Sequence, residues 1–361
     1  MILLMGCWQA SSSHVLADWP LVRGNALATG VADSEVADTL QRLWEYAVPD
    51  SGFEATAVIS AGIVYIGDMD NTFYALRLAD GKLVWKQTFE DSGFATAAAL
   101  AGDMIYVGDI NGVLRALRAD TGKEVWSYET NSDLYAAPNV QDATLLITTD
   151  SGELLALNAQ TGDPQWSFKI EAPLRCWPTV VEGRIFLAGC DERLHAVDFS
   201  TGKEVEGLDI DGPTGSTPAT RGKKIYFGTE AGTFYAISCR PMQVVWAHRD
   251  SQRSQSIRSS AAVGQRVVVY GIRGKQVVAL DRATGKPRWT FPVRSRVENG
   301  PVIAGNLVFL ATVRGRVIGV DVSSGDEKWW FTAGGSFLGS PAVADGKLVL
   351  GNTDGTLYCF E

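Results

Sequence analysis

With 361 residues, 46% of them hydrophobic, the chain can bury a large core, and length alone would divide it into two or three domains. Its net charge of −9 conceals a split: thirteen of the 32 Lys and Arg, but three of the 41 Asp and Glu, fall between Arg249 and Arg316. One basic sector therefore interrupts an acidic chain, and the hydrophobic run that opens the sequence is too short to span a membrane.

In chain order, Leu4-Met5-Gly6-Cys7 has the form of a bacterial lipobox, in which Cys7 would be acylated after cleavage, and Ser11-Ser12-Ser13 follows as a tether. The positive n-region of a secretory signal is missing, and Met5 stands where a small residue belongs, so a truncated lipoprotein start and a plain hydrophobic tail both stand as readings. Residues 1–17 are set apart on this ground. Residues 18–40, with Trp19-Pro20, Arg23-Gly24 and Gly30, carry no repeat and read as an extended lead-in.

From residue 41 to 361 a unit recurs about every 40 residues, clearest in Ala119-Asp120-Thr121-Gly122-Lys123-Glu124-Val125-Trp126. Its indole slot occurs eight times, at Trp44, Trp85, Trp126, Trp166, Glu206, Trp246, Trp289 and Trp329, and only the fifth slot has lost its Trp. Between Trp85 and Trp126 the apolar runs at 96–101, 105–107, 113–117 and 125–126 are separated by turn residues such as Gly102-Asp103, Asn111-Gly112 and Thr121-Gly122. Four short antiparallel strands per period make a propeller blade, and no window holds an amphipathic run long enough for a helix pair. The expected fold is all-β, an eight-bladed β-propeller forming a single domain. Residues 340–360 supply only three strands, so the orphan strand at 43–48 should complete the last blade and clasp the ring. The indoles are read as structural docking groups between blades, and the small column Ala75, Ala116, Ala156, Ala196, Ala236, Ala279, Gly319 and Cys359 as a response to converging sheets.

The Asp-x-x-Thr-Gly-Lys-x-x-Trp pattern resembles the tryptophan-docking repeat of the pyrroloquinoline-quinone (PQQ) propeller superfamily and covers nearly the whole chain from about Asp18. Within it, size, eight blades and the lipobox-like start most resemble the lipoprotein subunit family of the bacterial outer-membrane β-barrel assembly machinery and related PQQ-like envelope proteins. That resemblance implies a periplasmic, outer-membrane-associated binding scaffold. The superfamily's alcohol dehydrogenases hold the quinone between a Trp floor and a disulfide of adjacent cysteines, beside a calcium bound by carboxylates. No adjacent cysteines occur here, and the expected cofactor complement is none.

Other chemistry is sparse. His14, His195 and His248 lack metal-ligand spacing, and Asp68-Met69-Asp70-Asn71 reads as a hairpin turn rather than a calcium loop. The turn at Glu182-Gly183 sets Val181 against Arg184, which leaves Cys176 and Cys190 one step out of register; two independent thiols and a bulged disulfide both stand. Stacking the blades places Glu54, Ala95, Tyr135, Arg175, Gly215, Arg258, Glu298 and Leu338 around one channel mouth. Glu54, Tyr135, Arg175, Arg258 and Glu298 are the candidate binding groups there. In the basic sector, which also holds Arg253, Arg266, Lys275, Arg294 and Arg296, four residues should share that face: Arg258, Arg273, Arg314 and Arg316. The reading is a monomeric, non-enzymatic scaffold for an envelope protein or an anionic envelope polymer. It takes no nucleic acid and meets a membrane only through a lipid on Cys7. A quinoprotein-type oxidoreductase and a sugar- or polymer-binding sensor remain as alternatives.

Overall fold

A computed structural model describes residues 18–250 and 255–361; Cys7, His14 and Arg253 lie outside the described residues. Every regular element among the described residues is a strand, and the strands form eight four-stranded antiparallel sheets in a ring. The second blade is typical, with strands Ala99–Ala101, Met104–Gly108, Val113–Arg118 and Glu124–Glu129. Its middle strands are buried on both faces between neighbouring blades, while the fourth alternates outward and inward, as an edge strand facing water on one side must. The ring closes as the missing strand predicts. Arg42–Ala47 pairs antiparallel with Thr356–Phe360, setting Trp44 opposite Cys359 and Tyr46 opposite Leu357.

The docking tryptophans stitch each blade to the next. Their indole N–H groups donate to the carbonyl just past the third strand of the following blade: Trp44 to Leu78 (2.8 Å), Trp85 to Ala119 (2.9 Å), Trp126 to Ala159 (3.1 Å), Trp246 to Arg282 (3.2 Å) and Trp289 to Val322 (3.0 Å). Trp329 donates instead to Leu40, at 2.7 Å, on the segment that leads into the clasp. The indole face lies on the Thr-Gly turn of the next blade, which is why the turn needs glycine. A Cβ at Gly122 would sit 2.6 Å from Cε3 of Trp85, and its φ of +70° already favours glycine. The small column lies directly opposite these residues, Ala116 facing Trp126 and Gly319 facing Trp329. The column stays small even where the slot holds no indole, since Ala196 faces Glu206.

Where the slot holds Glu206, a different group crosses. Arg184 donates to Glu206 (2.8 Å) and to the carbonyl of Cys239 (3.4 Å), the acceptor an indole would have used, while the Met242 N–H donates to Glu206 at 2.6 Å.

The lead-in is not a simple extended tether. It runs through turns along the channel and bonds to the innermost strands of five blades: Trp19 exchanges two bonds with Ile59, and Pro20, Leu27, Thr29 and Gly30 accept from Leu100, Thr220, Val263 and Ile303. These donors line the channel, where unpaired backbone groups would be costly. From this segment Arg23, 2% exposed, donates to the carbonyls of Ala261 (3.1 Å) and Pro301 (2.6 Å) and to the Ser340 hydroxyl (3.3 Å), fastening three blades. Its acceptors are neutral, and burial lowers its pKa to about 10.

Candidate functional site

Each blade begins with a loop whose buried anchor aims the next side chain at the axis. Phe94 packs so closely on the preceding blade that a Cβ at Gly67 would lie 2.3 Å from its own Cβ; Leu134 on Gly108 and Ile257 on Gly228 repeat the contact. The following residues, Ala95, Tyr135 and Arg258, therefore turn to the channel. These loops also bond to the second-to-third-strand turns, as in Ile110 N–H to Gly93 (2.9 Å) and Glu230 N–H to Pro213 (2.9 Å), so both kinds of connection emerge on one face.

All eight stacked positions line a single cavity of about 230 Å³, with Arg23 and Trp177 also in its wall. Above it, Tyr135, Arg175, Arg258 and Glu298 border a vestibule of about 580 Å³ with Asp150, Cys190 and Glu230. Its charges are largely paired: Arg175 with Asp150 (2.6 Å), Arg258 with Glu230 (2.9 Å), and Glu298 with Arg296 (3.1 Å) and Arg273 (4.0 Å). The Asp150 carboxylate, accepting from Arg175, raises that arginine's pKa, and Arg175 also lies over the exposed ring of Tyr135, 5.6 Å from its centroid.

Arg258, Arg273, Arg314 and Arg316 all lie at connections of this mouth face. Arg314 is exposed with no carboxylate partner among the described residues, whereas Arg316 bonds Glu327 at 2.8 Å. The sector is not confined to one face, however, since Arg266 emerges at a first-to-second-strand turn on the opposite side. The sequence reading also missed Trp330. It is 58% exposed on the outer strand of the seventh blade, with the Arg316 guanidinium 5.7 Å over its ring. A signal was present, because the repeat needs only one indole and Trp329 already fills the slot.

The remaining titratable groups are committed locally. Asp68 accepts the N–H groups of Asp70 and Thr72 and the Tyr74 hydroxyl, the hairpin-turn role. Asp109 repeats this with Asn111, Val113 and the Arg115 guanidinium. His195 is buried, with its ring nitrogens 2.8 Å from Asp191 and 2.9 Å from Glu204. Cys176 and Cys190 are separate thiols; burial pushes Cys176 up to about 12, away from nucleophilic use.

The residues of the channel do not fit the quinone of the superfamily's dehydrogenases. Among the described residues no pair of neighbouring cysteines faces the cavity, Asp150, Glu230 and Glu298 are taken up by arginines, and Arg23 of the lead-in reaches the channel wall.

A sequence profile of the family described as outer membrane protein assembly factor BamB matches residues 32–175, 111–205 and 173–361. A curated relative of that description from Moranella endobia is 27% identical over 157 residues, 40% of this chain and 39% of that protein, so the match spans about two fifths of the relative's length. Among solved structures, BamB from Moraxella catarrhalis superposes with a TM-score of 0.74 at 18% identity, covering 89% of this chain and 97% of that one. Quinohemoprotein alcohol dehydrogenase from Comamonas testosteroni gives 0.80 at 16% identity, covering 95% and 80%. At these identities both likenesses speak for the fold alone. The profile spans most of the repeat, and the chain belongs to the outer membrane protein assembly factor BamB family of PQQ-like β-propellers.

Proposed function

We propose that the chain is a non-enzymatic binding scaffold of the bacterial cell envelope, acting outside the cytoplasm, whose mouth face captures an acidic patch on an envelope protein. Trp330 carries this reading. An indole 58% exposed beside a fully used docking tryptophan has no role in holding the blade, and Arg316 over its ring completes an aromatic–arginine pair of the kind that dominates protein interfaces. Arg314, at the turn before Arg316, is unpaired among the described residues and adds positive charge, Arg258 and Arg273 stand at the mouth beside Glu230 and Glu298, and Tyr135 under Arg175 repeats the motif there. Aromatic anchors favour a protein over an anionic polymer, whose capture needs charge alone. Family membership supports the same reading, since its members are described as assembly factors.

The test is capture from envelope extracts by the immobilised chain, with Trp330→Ala and Arg314→Gln as variants. Both should lose most capture without a change in melting temperature, and added salt should weaken wild-type binding as a rim only about a Debye length deep requires. Salt-insensitive capture that both variants keep would reject the mouth face. Incubation with PQQ and calcium should give no tightly held quinone and no alcohol-dependent dye reduction; a stoichiometric quinone would replace this reading with an oxidoreductase.

A further inference from the structure

On the face opposite the mouth, a groove of about 730 Å³ opens between the lead-in and the fifth to seventh blades. Val31, Ile303 and Val322 contribute apolar lining to it, and Arg221 and Arg266 line it as well. Arg282 adjoins them: its Nε donates to the carbonyl of Gln265 at 2.8 Å, and its guanidinium lies 3.3 Å from where a Cβ of Gly222 would be.

None of Arg221, Arg266 and Arg282 has a carboxylate within ion-pair distance among the described residues. Arg288, at the same groove, is by contrast held by Asp281 at 2.6 Å. Nε of Arg221 is buried without a hydrogen-bond partner, and Arg221 is disfavoured in its charged form by burial first and by the neighbouring Arg282 second, with Asp33 of the lead-in acting the other way but beyond ion-pair distance. Like charges brought together with no directly bonded carboxylate are unfavourable, and a bound anion reduces the penalty.

The repeat supplies an internal control. At the position of Arg221, the end of the first strand, other blades carry Ser60, Ala101, Gln141, Val181, Ala304 and Ala344. At the position of Arg282, whose carbonyl receives the preceding blade's indole, they carry Leu78, Ala119, Ala159 and Val322. The fold is satisfied there by small, neutral or apolar side chains, so the two guanidiniums answer to something else.

We propose that this groove binds a small organic anion, its carboxylate or phosphate held by Arg221 and Arg266 with Arg282 behind them, and its apolar body against Val31, Ile303 and Val322. Asp33 and Glu35 of the lead-in stand at the rim, and their charge selects a compact anion over a polyanion. The volume suits a ligand of drug-like size.

The experiment titrates the full chain calorimetrically with phenyl phosphate, benzoate, inorganic phosphate and phenol. At least one of the two aromatic anions should bind saturably, the tighter naming the group, with inorganic phosphate weaker and phenol showing no saturation. Arg221→Gln and Arg282→Leu install the residues of Gln141 and Leu78 at equivalent positions; the first should weaken that anion about tenfold, the loss expected for one charge-assisted bond, and the second, which removes only a nearby charge, by less. Their melting temperatures should equal or exceed that of the parent chain. No saturable binding by either aromatic anion, unchanged affinity in both variants, or phenol binding as tightly would overturn the proposal; inorganic phosphate binding as tightly as phenyl phosphate would overturn its apolar half.

Discussion

In most blades an indole crosses to the next one and donates to the carbonyl beyond its third strand; in the fourth, Arg184 makes that donation to Cys239 while Glu206 fills the slot. The tryptophans act through area and one neutral hydrogen bond. The fourth blade uses charge-assisted bonds, with Glu206 accepting from both Arg184 and the Met242 N–H. The two solutions share a donor that crosses to the same carbonyl of the next blade, which at Ala119 and Ala159 also accepts a tyrosine hydroxyl. The comparison teaches that an eight-fold repeat states the fold's requirements many times over, so a departure marks either a local replacement, as at Glu206, or a demand that is not the fold's, as at Arg221, Arg282 and Trp330.

The sharpest way to break the comparison is to remove a whole slot with its strand. Deleting residues 41–48 takes away Trp44 with its bond to Leu78 and one strand of the closing blade, and should cost upwards of about 5 kcal/mol, enough to abolish cooperative unfolding of a native ring. Circular dichroism melts of the truncated and full chains decide this, and coincident melts would mean that the clasp adds nothing. Trp126→Ala, which leaves the strand but empties the slot, should cost about 3 kcal/mol by denaturant titration.

How much of this was legible in the sequence follows the same logic. Blades, turns, indoles and clasp were legible because each is written several times, and the mouth ring followed from stacking those copies. The plug was not. Arg23 bonds to Ala261, Pro301 and Ser340, between 238 and 317 residues away, mostly through backbone carbonyls that carry no side-chain signal. The pairing of Arg258 with Glu230 and of Arg316 with Glu327 was equally hidden, because composition gives the sum of charges in a sector and not which of them meet across a turn. Likewise the split of the sector between two faces depends on whether a turn joins the first and second strands or the second and third.

A smaller effect tests whether the fourth blade is a true replacement. Arg184→Ala strands both Glu206 and the Cys239 carbonyl and should cost about 1–3 kcal/mol. Glu206→Trp alone leaves Arg184 without its carboxylate and should also destabilise. Joined to Arg184→Ile, the residue found at this position as Ile63, it rebuilds the pattern of the first blade. The double variant should then recover stability, with a coupling of about 1–3 kcal/mol in the cycle. Additive losses would mean that the pair is not one unit.

The smallest effect expected is in the pH dependence, where only the fourth blade carries a titrating group in the slot. The Met242 N–H, with the Arg184 guanidinium behind it, holds the Glu206 carboxyl below the usual carboxylate range, against a partial opposing effect of burial. A depressed folded-state value means that the charged form stabilises the fold. This contribution is complete above the ordinary glutamate pKa and disappears as pH falls through the lowered one. The Glu206→Trp, Arg184→Ile variant should therefore lose less stability than the parent between neutral pH and the acid range, so that the difference between the two melting temperatures shifts in the variant's favour toward the acid end. The Trp126→Ala variant should instead run parallel to the parent across the whole range, since an indole does not titrate there. If the rebuilt blade shows the parent's full acid sensitivity, the charge pair contributes nothing at the slot, and packing alone joins the fourth blade to the fifth.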